Sequence, residues 1–313
     1  MTVADASLAA LLLTNRIVDV GAQPLAAGEL WSLRRAVDDL SPLVGMAAAD
    51  IATTASIPVR DAERYAALLA AGTAFAFERE RLAQEGVVLI SALDDAFPQQ
   101  LRHRLHDACP TFLLVAGPLA FLGFGAIGVV GSRDAPAEAL QVAATTASVA
   151  TAHSTAIVSG LARGVDQAAM AAALDAGVPV VGVPAEGVRV AARNPEIRRR
   201  AHAGELCIAS PYAPSARFTA GNALGRNKIV YAHAEATLVV CAEAGSGGTW
   251  QGASEAIRRG FGRVAVWTGD GSGPGNAALV DLGGMAIDDV GQLGQVGAIE
   301  RPSSPRPQPS LFD

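Results

Sequence analysis

Residues 127–166, IGVVGSRDAPAEALQVAATTASVATAHSTAIVSGLARGVD, decide the fold. The segment opens on a short β-branched run, IGVV. It then passes through Gly131, Ser132 and Arg133 into an alanine-rich helical stretch and ends on a second short run, AIVS, closed by Gly160. A strand, a helix long enough to return along a sheet and a second strand make a βαβ unit, whose two strands lie parallel. The same grammar continues on both sides, with VVLI, TFLLVAG, VPVVGVPA, ELCIAS, EATLVVCAEA and RVAVWTG separated by helical stretches. The expected fold is α/β: a Rossmann-like, doubly wound, mostly parallel sheet over residues 86–290.

Residues 1–85 read differently. They are rich in Ala and Leu at helical spacing, as in ELWSLRRAVDDL, and predict a small helical domain. Its last helix is expected to run through VRDAERYAALLAAGTAFAFERERLAQEG, with Pro58 in the first turn and Gly86 at the stop. Residues 291–313 are rich in Pro and Ser, poor in helix formers, and predict a flexible tail.

Composition removes several classes of function. A chain of 313 residues, half of them hydrophobic, can bury a sizeable core and form two domains. The apolar run Leu8–Leu13 is too short to span a bilayer, is followed by Asn15 and Arg16, and lacks the basic lead-in of a signal peptide. Cys109, Cys207 and Cys241 lie far apart without CxxC spacing, which indicates neither disulfides nor zinc and suits a reducing cytoplasm. The histidines show no ligand spacing, and HRLH at 103–106 reads as helix surface, so no metal is expected. No GxGxxG follows the first strand, which disfavours NAD or FAD, and no cofactor is expected. Ser132 and Ser159 lack the GxSxG setting of a nucleophile. A net charge of −6 argues against a surface uniformly coated by nucleic acid and leaves room for a local basic channel.

In an open parallel sheet, ligands sit beyond the carboxyl ends of the strands. The residues at those ends share one character here: Gly131, Ser132 and Arg133 after one strand, and Ser159, Gly160, Arg163 and Gly164 after the next. Glycine admits close backbone approach to an anion, and N–H groups, serine and arginine donate to it. The same residues also make ordinary tight turns. Asn222, Arg226, Asn227 and Lys228 follow before or at the start of a helix, and Gly245, Ser246, Gly247, Gly248 and Thr249 join a later strand to its helix. Lys228 is the one lysine among 24 basic residues. Four such junctions form a rim longer than one mononucleotide requires, and point to single-stranded nucleic acid. Phe218, just ahead of the basic segment, suits either base stacking or the core.

GVVGSR, VSGLARGVDQAA, the basic segment from Phe218 to Lys228 and LVVCAEA with its glycine–serine loop, taken in order, closely resemble the landmarks of the DprA/Smf family of DNA-processing proteins. The lead-in VVLISALDDAFPQQLRHRLHDACPTFLLVAGPL is similar as well. The resemblance covers about residues 86–290, and less specifically identifies the helical part as sterile-alpha-motif-like. It implies a non-enzymatic protein that binds single-stranded DNA, protects it during natural transformation, loads the recombinase RecA and acts as a homodimer. Ser132, Arg133, Gly160, Arg163, Gly164, Arg226, Asn227 and Lys228 are the DNA contacts it implies. Met170 stands where the family commonly has histidine, Lys228 where it has arginine, and the winged helix found at the C-terminus of many members is lacking.

Two further readings belong to other classes. Related Rossmann proteins sense nucleotides or cleave them as phosphoribohydrolases and resemble this chain at GSGGT, but Gly252 occupies the position of their catalytic glutamate. In the tail, Gln308, Leu311 and Phe312 of QPSLFD look like the peptide that docks on the DNA polymerase sliding clamp. A glutamine amide with two apolar anchors suits a small hydrophobic pocket.

Overall fold

The computed structural model describes residues 5–296. The first part is helical: α1 (Asp5–Leu13), α2 (Ala27–Val37), α3 (Ala48–Ala55), α4 (Val59–Leu69) and α5 (Gly72–Gln84). The expected last helix is therefore two, broken at Ala70 and Ala71, and Pro58 caps α4 from outside instead of lying in its first turn. Gly86 does mark the stop, with φ of +76°.

Strands and helices then alternate. β1 (Val87–Ser91), α6 (Gln99–Leu105), β2 (Phe112–Ala116), β3 (Ala126–Val130), α7 (Ala137–His153), β4 (Ala156–Ser159), α8 (Val165–Asp175) and β5 (Val180–Gly182) come first. After them come α9 (Val188–Ala191), α10 (Pro195–His202), β6 (Leu206–Ser210), α11 (Ala220–His233), β7 (Ala236–Val239), α12 (Gly247–Arg259), β8 (Arg263–Trp267), α13 (Asn276–Asp281), β9 (Met285–Ile287) and α14 (Leu293–Val296). Among the described residues, nine strands form one sheet in the order β1-β2-β6-β5-β4-β3-β7-β8-β9. β1 and β2 are antiparallel to their neighbours, and the pairs from β6 to β9 are parallel. The Rossmann-like, mostly parallel architecture is thus the one expected.

The inner strands read as continuous apolar runs because both faces are covered. In β3, Ile127 and Val129 join the cluster that includes Ala139, Ala143 and Ala147 of α7, whereas Ala126 and Val130 join the one that includes Ile229 and Val230 of α11 and Ala253 of α12. The first cluster also contains Leu11, Leu12, Leu68 and Leu82, so one core continues from the helical part onto the sheet. Polar ties reinforce the junction: Arg189 pairs with Glu78 and Glu85, and the Ser7 hydroxyl donates to Asp94. The packed structure runs past residue 290, because Leu293 is fully buried in the core. No helix among the described residues is long and apolar enough to cross a membrane.

Candidate functional site

β3 and β7 are neighbours, yet the chain leaves β3 towards α7 on one face and β7 towards α12 on the other. The two loops diverge, and a crevice opens beyond the strand ends at this topological switch point. A cavity of about 510 Å3 lies there. Its walls are Gly131–Asp134 after β3, Ala162 and Asp166 at the start of α8, Phe218 with one face of α11, and Glu243 with Ser246–Thr249 around the start of α12.

Close packing fixes these loops. Ser132 N–H donates to the Cys241 carbonyl (2.9 Å), tying the β3 loop to the end of β7. Val165 N–H donates to the Ser132 carbonyl (3.3 Å), tying it to the β4 loop. Gly164 has φ of +77°, and any side chain there would strike the carbonyl oxygens of Ser132 and Arg133. The Asn227 amide donates to the Gly248 carbonyl (3.1 Å) and braces α11 against the first turn of α12. Thr219 caps α11 by accepting from Asn222 N–H (3.0 Å).

The floor is a buried ion pair. Arg226 of α11 lies 3.6 Å from Asp166 of α8, both nearly inaccessible. Burial pushes the Asp166 carboxyl up from its ordinary range, while Arg226 and the N–H groups of Gly160 and Ala162 pull it back. Tyr231 lines the cavity too, and burial raises its phenol. Tyr231 Oη and Arg226 Nε have no hydrogen-bond partner among the described residues.

The rim is basic and aromatic. Arg133 is exposed and makes no ion pair among the described residues; its guanidinium sits 5.4 Å from the centre of the Phe218 ring, itself half exposed. Arg163 is also exposed, on the loop that sends Ala162 into the cavity.

The structure thus gathers Gly131, Ser132, Arg133, Arg226, Asn227, Ser246, Gly247, Gly248 and Thr249 around one cavity. The other residues singled out in the sequence lie around it. The Ser159 hydroxyl is buried and donates to the Val129 carbonyl (2.6 Å), and Gly160 N–H donates to Asp166 (3.0 Å). Gly164 packs beneath the β3 loop, Asn222 donates to the Arg217 carbonyl, and Gly245 is exposed beside the lining. Lys228 is bound to Glu255 of α12 at 3.2 Å, on the α11–α12 contact. Gln308, Leu311 and Phe312 lie outside the described residues. Tyr231, Glu243 and Gln251 line the cavity without having been singled out. The signal for Tyr231 was helical spacing: Ala220, Ala223, Leu224, Asn227 and Tyr231 fall on one face of α11.

Fold and site define a Rossmann-like protein with a crevice, lined by Arg133 and glycine-rich loops, at the switch point of its sheet. The chain belongs to the DNA recombination-mediator protein A family, whose model matches residues 88–287, and so has a role in DNA processing and recombination. DNA processing protein A of Streptococcus pneumoniae superimposes with a TM-score of 0.71 at 22% identity, over 94% of this chain and 98% of that one. DNA processing protein A of Helicobacter pylori does so with a TM-score of 0.55 at 20% identity, over 66% of this chain and 93% of that one. Both show the same fold. No curated protein matches the chain in sequence.

Proposed function

We propose that the chain is a single-stranded DNA-binding recombination mediator that holds the strand along the crest of β3, β4 and β7. The observation that carries this reading is Arg133 poised over an exposed Phe218, beside the Gly131–Ser132 loop and the Ser246–Thr249 turn. A cation for phosphate, a ring for a base and glycine-rich turns that admit close approach of a backbone are what a backbone-tracking, sequence-tolerant site combines. Exposed Arg163 and Arg217 extend the basic track. The structure of the Helicobacter pylori relative concerns a single-stranded DNA binding mode, which supports the same use of the shared fold.

The role is binding and not catalysis. Asp166 is committed to Arg226 and Gly160. Gly252, at the position where phosphoribohydrolases carry glutamate, is buried, and a side chain there would press on Asn227. A cavity of about 510 Å3 also admits a mononucleotide, so competition decides. Labelled oligo-dT bound to the protein is expected to be displaced by unlabelled oligo-dT and not by millimolar dTMP. Efficient displacement by dTMP would favour a nucleotide sensor.

Loading of RecA, action as a homodimer in the cytoplasm and docking of Gln308, Leu311 and Phe312 on the sliding clamp complete the proposal. Deleting residues 308–313 is expected to abolish capture by immobilised clamp and leave DNA affinity unchanged; retained capture would remove the tail from the account.

A further inference from the structure

We infer that the junction between the helical part and the sheet holds a second site, one for the phosphate of a nucleotide, separate from the β3–β7 crevice. A cavity of about 460 Å3 opens between α2 and the turn that follows α6. Arg34 and Arg35 of α2 face Arg102, His103 and His106 across it. The carboxylate in the wall is Asp107, which Arg35 already holds through both oxygens. Arg34 has Asp38 at 3.4 Å, outside the lining, and Arg102 makes no ion pair among the described residues. Positive charge therefore exceeds negative within one concave site, on a chain whose net charge is −6. Concentrated cations repel one another unless an anion joins them.

Two further features point to a nucleotide. Trp31 forms part of the wall, and its indole N–H donates to the Cys109 carbonyl (2.9 Å), which fixes the ring. A rigid indole beside arginines offers a base a stacking surface while the phosphate meets the guanidinium groups. His106 adopts φ of +46° and ψ of −120°, a backbone region that favours glycine. A chain with 33 glycines nevertheless places an imidazole at this turn, and backbone strain held at a side chain of useful chemistry marks functional positions.

The two cavities share no lining residue: the crevice lies between the β3 loop, α11 and the start of α12, whereas the second lies between α2 and the α6 turn. A strand and a free nucleotide present the same phosphate chemistry, and the test separates the two sources.

The probes are an oligo-dT of about ten nucleotides and dTTP, added to the full chain carrying Arg133→Glu so that the crevice is weakened. The readout is the Trp31 indole N–H resonance, assigned by its loss in Trp31→Phe. The resonance is expected to move on titration at low salt, and Arg102→Gln is expected to weaken the affinity it reports by about tenfold. The indoles of Trp250 and Trp267 serve as the folding control. Movement with the oligomer identifies a strand as the source, movement with dTTP a free nucleotide, and both support the site. A resonance that neither probe moves, or one that moves alike with and without Arg102→Gln, would overturn it, as would a response to polyglutamate alone.

Discussion

Gly160 makes room for Arg226: a methyl group on Gly160 would overlap the buried guanidinium that pairs with Asp166. The glycine after β4 is thereby a packing requirement of the ion pair beneath the crevice. Gly160→Ala is expected to destabilise the fold by about 3 kcal/mol, as the guanidinium is driven from a carboxylate that stays buried. Urea denaturation measures it; a loss below about 0.5 kcal/mol, the range of ordinary surface substitutions, would show that Arg226 relaxes freely.

Arg226 and Arg133 should separate stability from binding. Arg226→Ala leaves Asp166 buried without its cation, a change that costs about 3–5 kcal/mol in comparable pairs. Arg133 is exposed and makes no ion pair among the described residues, so Arg133→Ala should leave the urea midpoint unchanged while weakening oligo-dT binding. Parallel unfolding and anisotropy titrations check both, and equal effects of the two substitutions on stability would refute the division.

Lys228 is expected to matter less for DNA than its rarity suggests. Its ammonium is held by Glu255, and a half-exposed pair of this kind is worth about 0.2–1 kcal/mol. Lys228→Gln should therefore reduce oligo-dT affinity by less than Arg133→Ala does. A larger loss would place the lysine on the strand's path.

Helical geometry separates residues that are neighbours in the basic segment. Asn227 and Lys228 are adjacent in GRNK, but neighbours on a helix point about 100° apart, so Asn227 faces the crevice and Lys228 faces α12. The loops were legible for the opposite reason: in a parallel sheet each strand end delivers its loop to the same edge, whatever the intervening helix does. The parallel strands were legible because burial on both faces leaves runs such as AIGVV unmixed with polar residues. β9 escaped notice because Met285 and Ala286 are exposed at the sheet edge. The division of α4 from α5 was equally quiet, since Ala70 and Ala71 favour helix and Gly72 alone hints at a break. Long-range partners such as Asp166 with Arg226 leave no mark in local spacing.

Acid should unfold the protein through His233. Burial, with Arg104 nearby, lowers its imidazole to about 4, against about 6.5 in an unfolded chain. The folded state keeps the ring neutral, and Gln100 contacts Nδ1 at 3.1 Å. The unfolded state takes up the proton first as pH falls, so stability is fully present above about pH 6.5 and is lost on the way down to about pH 4. At about 1.4 kcal/mol per pH unit, the loss is about 3 kcal/mol. Urea midpoints between neutral pH and pH 4 should fall more steeply for the natural chain than for His233→Gln; parallel curves would contradict the assignment.

On the proposed reading, a DNA strand lies in the β3–β7 crevice with its phosphates against Arg133 and its neighbours. The most direct measurement is oligo-dT affinity against salt concentration for the natural chain and for Arg133→Ala. On single strands each phosphate contact contributes about 0.7 to the log–log slope. Arg133→Ala is expected to lower the slope by about that amount and to weaken binding at every salt concentration. An unchanged slope with unchanged affinity would contradict it.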